Sequence, residues 1–296
     1  MTDPKDSWIP LHSPELHVEV NPLGAQLSVL RDRNGSDLLW NGDPAVWNGR
    51  APLLFPIVGE LANGRYCVGG ESYHLSRHGF ARGRLFQVIA ATADTATFRL
   101  QADESTLPIY PFRFELDVRF AVSGAALSIT SSVRNLGNAD LPASLGYHPA
   151  FRWPLPYGQE RAAHFIEFAS DEPAPIRRLN AAGLLTREPR PTPVAERRLV
   201  LEDSLFQNDA LIFDQIQSRS VSYGAASGPR IRVSYPQMPY LGIWTKPGAP
   251  FICVEPWHGM ADPEGFAGEF ATKPGVFIVP PGTARALEMT ITLASD

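Results

Sequence analysis

Apolar residues recur at every second position from one end of the chain to the other, and no stretch of comparable length shows a helical period. Leu16, Val18 and Val20 form one such run, Phe112, Phe114, Leu116, Val118 and Phe120 a second, and Leu287, Met289, Ile291 and Leu293 a third. In the third run the polar residues Glu288, Thr290 and Thr292 fill the positions between. Successive side chains of a strand point to opposite faces, so each run turns one face to a core. Turn signals separate the runs at short intervals, among them Asn34-Gly35, Asn41-Gly42, Asn63-Gly64, Gly69-Gly70 and Pro280-Pro281-Gly282. The pattern predicts an all-β chain of many short strands with few short helices.

A length of 296 residues accommodates either two ordinary domains or one large all-β domain. Residues 171–198 are rich in Pro, Ala and Arg without periodicity, and they read as a long surface excursion containing one short helix. Composition does not change across this segment and no internal repeat is visible. A single large antiparallel β-sandwich spanning 1–296 is therefore expected.

Hydrophobic residues make up 44% of the chain and charged residues 19%, a balance that supports a real core and excludes a disordered protein. The net charge of -5 and the lack of any Lys/Arg run argue against nucleic acid as a partner. Residues 1–8 show no basic segment followed by an apolar stretch, so neither a leader nor a membrane anchor is expected, and a cytoplasmic location is. Two cysteines, Cys67 and Cys253, are too few for a disulfide framework and lie in no metal-ligand spacing; they read as buried free thiols.

Three segments concentrate groups capable of chemistry. In Ser76-Arg77-His78-Gly79-Phe80-Ala81-Arg82, two cations surround a histidine and a glycine, although His78 alone also fits a hydrogen-bonded structural residue. In Gly146-Tyr147-His148-Pro149-Ala150-Phe151-Arg152-Trp153, a histidine is framed by Gly, Pro and aromatic residues, as at a pocket rim where a sugar ring stacks; a structural His beside a tight turn fits as well. In the third, the apolar Phe251-Ile252-Cys253-Val254 runs directly into Glu255, followed by Pro256 and Trp257. Glutamate is rarely fully buried unless paired or functional, and a Trp beside a carboxylate is a common way to build a carbohydrate site. A salt-bridged glutamate at a strand end is the alternative.

Together the segments supply one carboxylate, two imidazoles and several guanidinium groups, the parts for general acid–base chemistry on a neutral polar ligand. No G-x-S-x-G, glycine-rich phosphate loop or H-E-x-x-H metal motif is present. Acid–base work without a cofactor or metal is the expectation.

In order and spacing, the three segments resemble the aldose 1-epimerase family, which includes the galactose mutarotases, and within it a bacterial LacX-like branch. The resemblance extends to Trp47-Asn48-Gly49-Arg50-Ala51-Pro52, to Leu53-Leu54-Phe55-Pro56-Ile57-Val58-Gly59 and to Leu241-Gly242-Ile243-Trp244-Thr245. It covers nearly the whole chain, from Gly24-Ala25-Gln26-Leu27 to Pro280-Pro281-Gly282. It implies a galactose mutarotase-like supersandwich with a sugar cleft on one concave sheet, no metal, and a small aldose as partner of a monomer or homodimer. By the same resemblance Glu255 is the general base for the C1 hydroxyl, His148 the acid for the ring oxygen, and His78 a further site histidine. Asp209 matches an acidic sugar-binding position, and Arg50, Arg77, Arg82, Trp244 and Trp257 complete the expected substrate contacts. One departure stands out: many relatives carry Arg after the Val-Gly pair, where this chain has Glu60. That bears on sugar preference more than on reaction type.

Two alternatives share the same residues. A hexose-6-phosphate 1-epimerase would use Arg50, Arg77 and Arg82 as a phosphate pocket. A non-catalytic carbohydrate-binding protein would keep the fold and aromatic cleft, but sugar binding alone does not require the acid–base set Glu255, His148 and His78. A glycoside hydrolase fits less well, because it needs two suitably placed carboxylates.

Overall fold

In the computed structural model, which describes residues 8–294, the alternating runs form antiparallel strands. Residues 1–7, most of the stretch read as lacking a leader, lie outside the described residues. The larger sheet has nine strands, and its centre pairs Phe114–Ser123 with Ala126–Asn135 and the latter with Ala284–Ala294. Register brings Ile129 opposite both Phe120 and Met289, so the apolar positions of three strands share one face. Leu16, Val18, Val20, Phe114, Leu116, Val118, Phe120, Leu287, Met289 and Ile291 are all buried as the alternation predicts. Phe112 precedes its strand and Leu293 lies near the end of its own; both are half-buried.

The second sheet has six strands and carries the chemistry. Its central strand, Phe251–His258, pairs on one side with Tyr240–Trp244 and on the other with two short strands in succession, Leu145–Tyr147 and Ala150–Arg152. Ile252 and Val254 face the main core shared with the larger sheet, whereas Phe251, Cys253 and Trp257 belong to small apolar clusters on the opposite face. Each buried aliphatic or aromatic side chain contributes about 1.5–3 kcal/mol. The main core draws residues from Leu11 to Ile291 without interruption.

One hydroxyl ties the sheets together next to the site. The Tyr147 Oη accepts from the Ser131 backbone N–H at 3.1 Å and donates to the Leu287 carbonyl at 2.9 Å, both on the nine-stranded sheet. The excursion 171–198 differs from expectation. It contains no helix; short 3₁₀ turns flank it at Arg161–Ala163 and Asp203–Phe206. It is held by isolated bridges, Arg177 to Ile212 and Leu185 to Pro263, which lay Leu179 and Leu185 against the apolar cluster around Trp257. Its prolines remove backbone donors and its apolar residues find a partner surface, so it packs as extended chain along one wall of the cleft.

Candidate active site

Strand register alone brings Glu255 and His148 together. Gly146 pairs with Trp257 and Ala150 with Cys253, so His148, midway between, stands opposite Glu255 on the adjacent strand. Their side chains share the face away from the core, with His148 Nε2 3.1 Å from Glu255 Oε2. Tyr147, one residue earlier, points the other way and anchors the segment through its hydroxyl. Both members of the pair are buried, Glu255 to within 2% of full burial. They form the floor of a cavity of about 350 Å³, whose wall also includes Trp47, His78, Asp209, Trp244 and Trp257. That volume suits a small polar ligand such as a monosaccharide.

The Trp257 ring is accommodated by two glycines. A Cβ at Gly242 would stand 2.4 Å from the indole and one at Gly146 2.7 Å from it, so neither position has room for a side chain. Trp47 stacks on the His148 imidazole at 5.3 Å between ring centres, and Trp244 meets the same ring edge-on at 6.0 Å. His78 approaches perpendicular to His148 at 6.0 Å.

His78 adopts a left-handed backbone, with φ of 68°, and so does Asp209, with φ of 65°. A histidine pays for that conformation unless its surroundings hold it there. For His78 the holding contacts are reciprocal: its N–H donates to the Gly59 carbonyl at 2.9 Å, and the Gly59 N–H donates to its Nδ1 at 3.0 Å. Accepting at Nδ1 leaves the ring proton on Nε2.

Electrostatics sharpen these roles. Burial pushes the His78 imidazole well below its ordinary range, with His148, Arg77 and Arg82 adding to the effect, so His78 is a neutral donor. Burial lowers His148 to about 3, again with help from Arg82 and Arg77. Burial moves Glu255 in the opposite direction, well above the usual carboxylate range; Arg77 opposes the shift, Asp209 reinforces it, and the Trp257 N–H opposes it. Both shifts favour the uncharged forms, a protonated Glu255 carboxyl beside a neutral His148 ring.

Of the residues expected from sequence, Glu255, His148, His78, Arg77, Arg82, Asp209, Trp244 and Trp257 all line the cavity. Arg77 and Asp209 form a loose ion pair at 3.8 Å on its half-exposed rim. Arg50 does not line it. Its guanidinium donates to the Ser28 carbonyl at 2.9 Å, and its backbone N–H is held by the Gln26 side chain. Glu60 is also absent from the lining; its backbone carbonyl accepts from the Asp262 N–H and its side chain lies beside Gly183. Glu60 thus belongs to a supporting loop rather than to the cavity wall. Sequence reasoning gave no role to Leu179 and Ala210 in the wall, or to the ion pair of Lys273 with Asp262 at 2.8 Å, buried behind it. The loose signal for that pair was a Lys and an Asp in otherwise apolar surroundings, which sequence spacing does not join.

Comparison with known proteins places the chain among relatives of one family. The family profile described as Aldose 1-epimerase matches residues 9–277. The chromosomal Protein LacX of Lactococcus lactis subsp. lactis is 35% identical over 264 residues, covering 86% of this chain and 88% of that protein; its plasmid counterpart is 34% identical over the same coverage. Among solved structures, a galactose mutarotase related enzyme from Lactobacillus acidophilus superposes with a TM-score of 0.90 at 29% identity, covering 97% of both chains. A galactose mutarotase-like protein from Lactobacillus casei gives a TM-score of 0.90 at 26% identity, covering 97% of this chain and 100% of its own. With the profile match spanning most of its length, the chain belongs to the aldose 1-epimerase family.

Proposed function

We propose that the protein interconverts the α and β anomers of a free aldohexose by opening and reclosing the sugar ring, with Glu255 as base and His148 as acid. The observation that carries this reading is the 3.1 Å placement of one carboxylate and one imidazole at the floor of a sugar-sized cavity walled by aromatic rings. Ring opening removes a proton from the C1 hydroxyl and adds one to the ring oxygen. Glu255 takes the first and His148 supplies the second; the C1–C2 bond then rotates, and reversal of both transfers closes the ring on the other carbonyl face.

The proton inventory supports this cycle. Before the ring opens, the shared proton passes from the Glu255 carboxyl to the His148 imidazole, and opening then returns the pair to carboxylic acid and neutral imidazole. Burial favours that second, uncharged form. Opening the ring discharges two buried groups at once, so the open aldehyde meets the site in the same uncharged form as the resting pair. Each transfer contributes about 10²–10⁴-fold. His78, with its proton on Nε2, serves as a neutral hydrogen-bond donor to the sugar.

A hexose phosphate is the second reading, favoured by Arg77 and Arg82 side by side in the lining. Against it, Asp209 already faces Arg77 and Arg50 is engaged elsewhere. Polarimetry on fresh α-D-glucose and α-D-galactose, run beside α-D-glucose 6-phosphate, separates the two. Faster equilibration of a free aldose is expected; a strong preference for the phosphorylated sugar overturns the substrate assignment, and no acceleration of any aldose overturns the activity.

A further inference from the structure

Beneath the Glu255–His148 pair lies a thiol that the acid–base cycle does not use. Cys253 is two residues before Glu255 on the strand Phe251–His258, so both side chains emerge on the same face. Its register partners are Ala150 on one side and Trp244 on the other, and the small Ala150 leaves the sulfur close to the His148 ring. One ligand atom each from His148, Cys253 and Glu255 lie within 4.8 Å of one another, and all three residues are buried. A second observation points to a ligand. His148 Nε2 meets the Glu255 carboxyl, while its other ring nitrogen, Nδ1, is buried with no hydrogen-bond partner, so no protein contact on that side holds the ring against the rotation that metal ligation needs.

We propose that Cys253, His148 and Glu255 form an inhibitory binding site for a thiophilic divalent cation, Zn²⁺ foremost, that competes with the sugar. Sulfur, nitrogen and oxygen donors with a fourth position open to the cavity match the preference of Zn²⁺ for three protein ligands plus one exchangeable ligand, and the thiolate selects against Mg²⁺ and Ca²⁺. Bonds of about 2.0–2.3 Å place tetrahedral ligand atoms about 3.3–3.8 Å apart, so the widest separation must close by about 1 Å, within reach of side-chain rotation. Cys253 is fully buried and does not line the cavity. An ion entering from the cleft therefore reaches the sulfur only by parting the 3.1 Å pair, which removes both proton-transfer groups from the sugar. Binding forms metal bonds to sulfur, nitrogen and oxygen and expels to solvent the thiol proton and the proton shared by the pair, with no change of oxidation state.

Co²⁺ serves as the probe, titrated into the purified full-length protein without chelator. Expected are a near-ultraviolet thiolate-to-cobalt charge-transfer band and intense visible bands of a tetrahedral ion, present also in Cys67→Ser and absent in Cys253→Ser. Should Cys253→Ser fail to fold by circular dichroism, Cys253→Ala, which suits the apolar surroundings, replaces it. Saturating galactose should raise the half-saturating Co²⁺ concentration at least tenfold, and Zn²⁺ should lose at least tenfold in inhibitory potency on the variant, measured against that variant's own metal-free rate. No charge-transfer band in the native protein, a band that persists without Cys253, or a titration indifferent to sugar overturns the proposal. The competition rests on the proposed sugar site but the band does not: a band in a protein that moves no sugar overturns the activity and leaves the metal site standing, whereas turnover without the band does the reverse.

Discussion

At the residue scale the role proposed for the buried carboxyl of Glu255 predicts effects on both rate and stability. Glu255→Gln keeps the shape and removes the base, so turnover should fall by about a hundredfold or more while sugar affinity changes little; unchanged turnover by polarimetry would remove Glu255 from the role. The same variant has a second signature. Glu255 is raised above its ordinary value on folding, so above pH 4.5 the unfolded chain releases a proton that the folded chain keeps. Stability from this group is present at low pH and is lost as pH rises toward the folded value. Glu255→Gln should therefore be more thermostable than the native protein at pH 8, with the difference shrinking to nothing as the buffer approaches pH 4.5. For the histidines the sign reverses. His78 and His148 are held below 6.5, so folding stability declines as pH drops through 6.5, where the unfolded chain takes up protons that the folded chain refuses. In kinetics, kcat/KM should show no inflection in the ordinary histidine range around 6.5. An acid limb centred there would mean that at least one of these rings titrates as a solvated imidazole.

At the element scale the site depends on how closely strands and loops approach. The strands Leu145–Tyr147 and Tyr240–Trp244 flank Phe251–His258 and present Gly146 and Gly242 to the Trp257 ring. Gly242→Ala places a methyl 2.4 Å from that ring and forces the indole to move. A loss of about 1–3 kcal/mol of stability is expected, together with a raised KM, because the displaced ring is a cavity wall. A second contact joins loops behind the site. Lys273, just after the 3₁₀ turn Phe270–Thr272, pairs with Asp262, whose other oxygen accepts from the Ala62 N–H at 2.9 Å. Burial lowers the lysine's proton affinity, and Asp262 and Glu60 only partly oppose the shift. Lys273→Met leaves a buried carboxylate without its cation, and denaturant unfolding should report a loss of about 3–5 kcal/mol. Replacement of both partners by apolar residues should recover much of it.

At the scale of the whole molecule, the core runs without a break between the nine-stranded and six-stranded sheets, and Tyr147 bridges them by hydrogen bonds. We expect from this that the chain unfolds as one cooperative unit, with near- and far-ultraviolet circular dichroism giving coincident thermal transitions; two separated transitions would argue for two domains. Among the described residues no helix is long and apolar enough to cross a membrane. The excursion 171–198 matters at this scale too. Its composition predicts surface chain, yet Leu179 lines the cavity and Arg178 donates to the Asp209 and Ala210 carbonyls, so it helps shape the wall that carries Asp209.

The amino-acid sequence by itself determined the strands and singled out the carboxylate and imidazoles that the fold brings to one cavity. Period-two alternation is local, so Leu287 to Ile291 reveals its faces without knowledge of any neighbour, whereas the unbroken apolar run Phe251 to Val254 marks a strand buried on both faces. A glutamate that ends an apolar run beside tryptophan is likewise visible in eight consecutive residues. Tertiary structure decided everything that depends on which strand lies next to which. Register between segments a hundred residues apart set His148 opposite Glu255 and close to Cys253, while loop packing turned Arg50 toward Ser28 and put Glu60 behind the wall. Burial on that face then shifted the proton affinities of Glu255 and His148 in opposite directions, a property of the surrounding low-dielectric packing that neither residue carries in its own sequence context.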